Sequence, residues 1–589
     1  MPGDSWAATD RMNARRTNWA GNITFSAERF HRPASAGELQ RLVAGTRRIR
    51  ALGTGHSFSR IADCPGDLVS VAGLPKVIQI DPGRATVTVS AGLRYGELAE
   101  RLNEAGWALR NLGSLPHISV AGACATGTHG SGDANGNLAT AVSALELVTA
   151  DGDIVLLSRD SDAAALAGAV VGLGALGIVT SLTLDLVPAF AIRQYVYQGL
   201  PRDQLDEHLE SIFASGYSVS LFTDWRGPKI RQVWRKCLAG ERDPGLPGPG
   251  RWLGAELADG PRHPVPGMSA VHCTEQRGVL GPWQLRLPHF RPEFTPGSGA
   301  ELQSEYLVPR EHAIEALAAV GRIRGRVAPA LQISEIRTVA ADDLWLSPSY
   351  QRPSVAIHFT WIRDPEAVAP ALAAIEDQLA PFGARPHWGK LFSVSPAVLG
   401  GLYQRLPDFQ RLRGEFDPAG KFGNELVDSY VPASRPPATS RPAGRQLRPG
   451  QPTASYVPAS RPQAPAHGLP IAGNSGLDDV RRSECHQDER DHREDAVHDN
   501  HRHREVPLWR ADDHVDRGGP ASRGTVQASV GGAVHGNPAG QHYQAEQHDR
   551  QQDEERGPGQ PGLVDVHVDD PYGQAADGKR DVGEDDRSV

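Results

Sequence analysis

Cysteine is scarce in this 589-residue chain, and Cys64, Cys124, Cys237, Cys273 and Cys485 lie far apart with no CxxC pair. That spacing excludes a disulfide framework and a structural zinc site, and it suits a reducing, cytoplasmic compartment. Nowhere do 18 apolar residues run together, and MPGDSWAATDRMNARR has no apolar core of signal-peptide length. Neither a membrane span nor export is expected. A basic stripe is missing as well: the net charge of −9 is spread along the chain, which argues against nucleic acid as a partner. Nothing fixes the oligomeric state, and a monomer is consistent with the sequence.

Glycine and small residues, by contrast, are concentrated at two places. In IRALGTGHSFSR (49–60), Ile49, Ala51 and Leu52 read as the end of a buried strand. Gly53, Thr54 and Gly55 then form a turn whose backbone N–H groups can approach an anion such as a pyrophosphate, with His56 held directly after it. On its own this is an ordinary turn with a lone histidine. The second place, LGSLPHISVAGACATGTHGSGDANGN (112–137), is rich in Gly, Ala, Ser and Thr. Ordering glycine costs backbone entropy, so such a run is worth fixing only where the backbone closely approaches something. The inserted Leu-Pro-His-Ile-Ser-Val is foreign to a flexible linker, so a cofactor-binding surface is the better reading.

GTGHSF, SLPHISVAG and ATGTHGSG, in this order, resemble the vanillyl-alcohol-oxidase type of FAD-binding fold. With NWAGNITF, GYSVSLFTDW, SEIRTVAADD, HFTW and ARPHWGK added, the stretch from Asn18 to Asn424 resembles the bacterial alditol (xylitol/sorbitol) oxidases within it. The resemblance implies an α+β, two-domain flavoprotein with a substrate-binding cap, oxidising the terminal primary alcohol of a polyol to the aldose while O₂ becomes hydrogen peroxide. It implies FAD attached covalently through His56 at the flavin 8α-methyl carbon. Flavin contacts would come from Ala51, Leu52, Gly53, Thr54, Gly55, Ser57, Ser114, Ser119, Gly122, Ala123, Cys124, Ala125 and Val179. Gly113, lacking a side chain, would leave dioxygen a route to the reduced ring.

Along the chain, a helix is expected over Ala36–Ala44 with Ser35 as N-cap, then hairpins over 77–92 and 144–158. A helix follows the first hairpin, with Leu93, Leu98 and Leu102 at helical spacing, and a long strand fills 176–190. None of the glycine loops opens a helix in the GxGxxG manner, which disfavours a nicotinamide-binding domain. The expected organisation is an FAD-binding domain at 18–190, a cap at 191–380 and a return to the first domain at 381–428 through a helix near Ala397–Leu406. The remainder, 429–589, holds no Phe, one Trp and half of the 22 His, and it repeats SYVPASRP. It reads as a disordered tail, of the kind a frameshift in GC-rich coding sequence would produce, and His498, His501 and His503 read as solvated rather than metal-binding. Met12 is an alternative start.

Glu335 and Arg337, two apart on an expected strand, share a face, as do His358 and Thr360 in AIHFTW. Charged pairs of this kind are either a solvated strand face or a polar site in a cleft. The resemblance makes Ser114, Glu335, Arg337, Thr360 and Lys390 the polyol contacts, with His358 close by. Arg337 and Lys390 would stabilise a developing alkoxide, Glu335 would orient Arg337, and either Lys390 or His358 would be the base. An aldonolactone oxidase or dehydrogenase is the nearest alternative, against which GYSVSLFTDW and HFTW favour the alditol branch. A flavin-carrying binding protein without turnover is the alternative of another class.

Overall fold

Polar–apolar alternation in three segments builds the sheet on which the site rests. The computed structural model describes residues 16–240, 251–293 and 300–434. In it, Glu301–Pro309, Ser354–Ile362 and Leu331–Val339 are adjacent antiparallel strands of a ten-stranded sheet, continued by Ser218–Thr223, Lys229–Leu238 and Ala191–Pro201. Side chains alternate between faces at period two. Leu302, Tyr306, Val308, Val355, Ile357, Phe359, Trp361 and Ile336 enter one core, under the helices Arg202–Phe213, Ala313–Arg322 and Pro365–Leu379. The other face carries Glu301, Gln303 and Glu305, then His358 and Thr360, then Glu335 and Arg337. Because both faces are covered, these strands are buried nearly throughout rather than alternately exposed.

A second core lies under a five-stranded antiparallel sheet ordered Ile78–Asp81, Thr86–Ser90, Ile178–Asp185, Val142–Val148 and Ile154–Ser158. Three short parallel strands, Arg29–His31, Asp67–Val69 and Ile49–Ala51, deliver the chain into the His56 loop. Both expected hairpins are present. The helix Ala36–Gly45 starts at Ser35, whose Oγ accepts the Glu38 N–H as an N-cap. The expected strand over 176–190 is interrupted: Ile178–Asp185 ends at Leu186, and Val187–Pro188 pairs separately with Trp107–Ala108. Proline at 188 lacks the N–H that would extend the ladder.

The glycine-rich and C-terminal segments hold further helices. The second glycine-rich stretch does contain a helix, Val120–Ala125, because its run of alanines around Gly122 favours helix locally. The expected helix near Ala397–Leu406 is two, Pro396–Leu402 and Leu406–Phe416. The helix Glu425–Tyr430 and the fully buried Val431 of the second core lie across the expected boundary at 429. Residues 435–589, with the histidines at 498, 501 and 503, lie outside the described residues.

The segment EFDPAGKFGN fastens the C-terminal helices to the His56 loop. Asn424 Nδ2 donates to the carbonyls of Arg60, Ile61 and Asp63 at 3.0, 3.1 and 2.8 Å, while its Oδ1 caps Val427 N–H. Lys421 Nζ reaches the Val43 and Ala150 carbonyls at 2.7 and 2.6 Å. Substituting Asn424→Ala leaves buried carbonyls unpaired, and the expected loss is about 3 kcal/mol of unfolding free energy. A urea titration followed by tryptophan fluorescence measures it, and an unchanged midpoint would show that the clip carries no stability. Among the described residues no helix is long and apolar enough to cross a membrane.

Candidate active site

The two glycine-rich stretches meet edge to edge. A Cβ built on Gly53 would lie 2.5 Å from Ser119 Oγ and 3.9 Å from Gly122 Cα, and one on Gly122 would lie 2.7 Å from the same hydroxyl, so a side chain at either position would displace Ser119 from the junction. Gly55 sits at φ +70° and turns the chain toward His56. Around this junction opens a cavity of about 1410 Å³ that extends to the charged face of the large sheet. Every residue expected to touch flavin lines it, from Ala51–Ser57 through Ser114, Ser119 and Gly122–Ala125 to Val179. So does every expected polyol contact: Ser114, Glu335, Arg337, His358, Thr360 and Lys390. Residues up to 339 positions apart in the chain are thus brought into one site.

At the glycine-rich end, both ring nitrogens of His56 are shut off from solvent and neither bonds another side chain, the Thr54 backbone being the one polar group they approach. Burial, with help from His117 and Arg94, pushes its pKa down to about 4, so the imidazole is neutral with a free lone pair. An uncharged imidazole beside a glycine cradle fits an FAD held there, with His56 available for bonding. Cys124 is the opposite case: burial raises its thiol to about 11, and Tyr95 Oη lies 3.5 Å from its sulfur, so it packs rather than reacts. A Cβ on Gly113 would sit in ordinary contact with Ile118, Thr128 and His129 at 3.8–3.9 Å, so it would be accommodated but would fill the space there.

At the sheet end, register does the assembling. Glu305, His358 and Glu335 are directly opposite one another on three neighbouring strands, with Gln303 and Thr360 paired in the adjoining row. Glu305 was not among the residues expected here, yet it is the hub. Its side chain is 1% exposed, and its oxygens lie 2.5 Å from Arg337 Nη2, 3.3 Å from His129 Nε2, 3.6 Å from Lys390 Nζ and 3.7 Å from His358 Nδ1. Burial alone would raise this carboxyl, but Arg337, His129 and Lys390 together hold it well below the usual carboxylate range. The short bond to Arg337 is thus made by Glu305, with Glu335 as a second, more distant carboxylate beside the same guanidinium. Glu335 Oε2 is 3.7 Å from Arg337 Nε and its Oε1 is 3.6 Å from His289 Nε2, both too far for a hydrogen bond, so Oε1 and that Nε are buried with no hydrogen bond made. The sequence did carry a signal: Glu301, Gln303 and Glu305 alternate with Leu302, Ser304 and Tyr306 as Glu335 and Arg337 do with their neighbours.

Lys390 Nζ donates to Gln303 Oε1 at 2.6 Å and lies 3.2 Å from His358 Nδ1. Burial lowers the lysine, and Glu305 partly offsets that. His358 has its second nitrogen 3.1 Å from Thr360 Oγ1, so both are engaged, and burial next to Lys390 pushes its pKa down to about 3. Burial would also lower Arg337, but the carboxylates of Glu335 and Glu305 overcome it and leave the guanidinium more firmly charged. The hydroxyl, amine, amide and carboxylate groups thus gathered suit a ligand bearing several hydroxyls, because buried donors and acceptors must be paired.

Comparison with known proteins agrees with this geometry. A family model described as FAD binding domain matches residues 27–158, and one described as D-arabinono-1,4-lactone oxidase matches residues 300–430. The chain is similar to alditol oxidase from Streptomyces sp., at 53% identity over 71% of this chain and 99% of that protein. It is similar to L-gulono-1,4-lactone dehydrogenase from Mycobacterium tuberculosis at 30% identity over 70% and 97%. Among solved structures, cholesterol oxidase from Brevibacterium sterolicum aligns with a TM-score of 0.55 at 15% identity, over 71% of this chain and 96% of that one. Glucooligosaccharide oxidase from Acremonium strictum, whose FAD is 6-S-cysteinyl and 8α-N1-histidyl, aligns with a TM-score of 0.54 at 17% identity, over 72% and 94%. The fold is the vanillyl-alcohol-oxidase type, and the chain belongs to the FAD-binding oxidase family represented by these relatives, as an FAD-dependent oxidoreductase.

Proposed function

We propose that this enzyme oxidises the terminal CH₂OH of an alditol such as xylitol or sorbitol to the aldose, passing the electrons to O₂ to form hydrogen peroxide. The observation that carries this reading is that Glu335 and Arg337, with Glu335 Oε1 and Arg337 Nε making no hydrogen bond, line the same cavity as Lys390, Thr360 and Ser114. One acceptor and one donor left open in a buried site match successive hydroxyls of a linear polyol. FAD bound by the glycine cradle, and bonded to His56, would supply the hydride acceptor.

The protein's own groups handle the proton. His358 is committed at both nitrogens and would become a third cation beside Arg337 and Lys390, so we assign proton acceptance to Lys390 Nζ in its neutral form. Arg337, fixed by Glu305, faces the oxygen as it gains negative charge. The match of residues 300–430 to the arabinonolactone oxidase model favours a second reading, oxidation of an aldonolactone. Anaerobic titration of the purified protein separates them through the flavin absorbance. Bleaching by xylitol, reversed by air with peroxide release, is the expected result. Bleaching by L-gulono-1,4-lactone but not by xylitol or sorbitol would give the lactone reading, and no response to any of them would leave a binding protein.

A further inference from the structure

The stretch NWAGNITF has no part in the chemistry above, yet it closes over the His56 loop. Trp19 stacks on the His56 imidazole with ring centroids 5.2 Å apart and planes 20° from parallel, and its other contact is edge-on with Phe58 at 6.3 Å. The backbone locks the same arrangement. Trp19 N–H donates to the Gly55 carbonyl at 2.8 Å, Asn18 Nδ2 to Ser57 O at 3.0 Å and Asn22 Nδ2 to Phe58 O at 3.1 Å. From the far side, Phe58 N–H donates to Gly389 O at 2.7 Å, and Ser59 Oγ to Trp388 O. His56 makes no hydrogen bond to another side chain, its one polar approach being to the Thr54 backbone, so ring packing fixes its plane and Trp19 supplies the parallel face.

We propose that Trp19 is a positioning residue for covalent flavin attachment, its indole face holding the His56 imidazole so that a ring nitrogen is presented to the cavity. The inference rests on the reading that His56 bonds the flavin. In that reaction one C–H bond of the flavin 8α-methyl group and the imidazole N–H are exchanged for one C–N bond. The two protons and two electrons released pass to dioxygen, which becomes hydrogen peroxide. A histidine whose plane is set by packing loses its alignment when the packing face is removed, whereas the glycine cradle at Gly53, Ser119 and Gly122 is untouched.

The test is the fraction of flavin that stays with the polypeptide after acid precipitation, measured for wild type, Trp19→Leu and Trp19→Phe. Wild-type flavin is expected in the pellet. Trp19→Leu, expressed in parallel and sampled during induction, is expected to attach its flavin about 2- to 10-fold more slowly, the range that one lost aromatic pair produces, and Trp19→Phe to recover most of that. Should Trp19→Leu not accumulate, Trp19→Met fills the space without an aromatic face and is read the same way. Attachment in the leucine or methionine variant at the wild-type rate would overturn the role of Trp19 alone. Wild-type flavin released to the supernatant would overturn the attachment reading and this proposal with it.

Discussion

Lys390→Met is expected to lower kcat/KM for xylitol by about 1,000-fold, with most of the loss in kcat, because a positioned general base contributes about 100- to 10,000-fold. Methionine keeps much of the length and fills the buried site, so the comparison removes the amine without opening a void. The amine is held by three groups that fix both its place and its protonation. Gln303 accepts from it at 2.6 Å, His358 Nδ1 lies at 3.2 Å and Glu305 at 3.6 Å. Burial favours its neutral form. A lysine acting only as a cation beside the developing alkoxide would be replaced in part by arginine, which keeps the charge but cannot give up its proton at ordinary pH. Lys390→Arg is therefore expected to be as inactive as Lys390→Met. Recovery of more than about a tenth of the wild-type rate in the arginine variant would move Lys390 from base to electrostatic stabiliser. Stopped-flow reduction by xylitol under anaerobic conditions reads this without the oxygen step.

Local rules made part of this molecule legible. Period two placed Glu335 with Arg337 and His358 with Thr360 on shared strand faces, and glycine crowding marked Gly53 and Gly122 as points of close backbone approach. What local rules do not carry is which strands are neighbours. Glu305 becomes the hub only because Glu301–Pro309 pairs with Ser354–Ile362 in the register that sets Glu305 against His358. A glutamate alternating with leucine and tyrosine is otherwise indistinguishable from one on a solvated face. Trp19 lies 37 positions before His56, and Asn424 bonds carbonyls more than 360 positions away, so their roles come from tertiary contacts alone. The helix Val120–Ala125 was hidden for a different reason: its glycine obscured an alanine-rich turn whose own propensity is helical.

Glu305→Gln tests the hub while keeping its shape. The glutamine still accepts one hydrogen bond from Arg337, but the buried site loses the anion that balances Arg337 and Lys390. Removing one partner from a buried charge cluster costs about 3–5 kcal/mol, so the variant is expected to melt at lower temperature. The catalytic effect is more specific. Arg337, less firmly held on the Glu305 side, is drawn toward Glu335 Oε2, now 3.7 Å from its Nε, and then competes for the carboxylate that we assign to a substrate hydroxyl. We expect kcat/KM to fall about 10- to 100-fold, as for loss of a charged contact worth some 1.4–2.8 kcal/mol. The pH profile supplies the sign. Glu305 raises the Lys390 pKa against burial, so removing its charge lowers that pKa further. If neutral Lys390 is the base, the rate of flavin reduction rises with pH through this pKa, and in Glu305→Gln the rising limb moves to lower pH. A variant whose limb stays in place would show that Glu305 does not act through Lys390. A limb that falls with rising pH, and moves down with the substitution, would instead show that the cationic lysine is the active form.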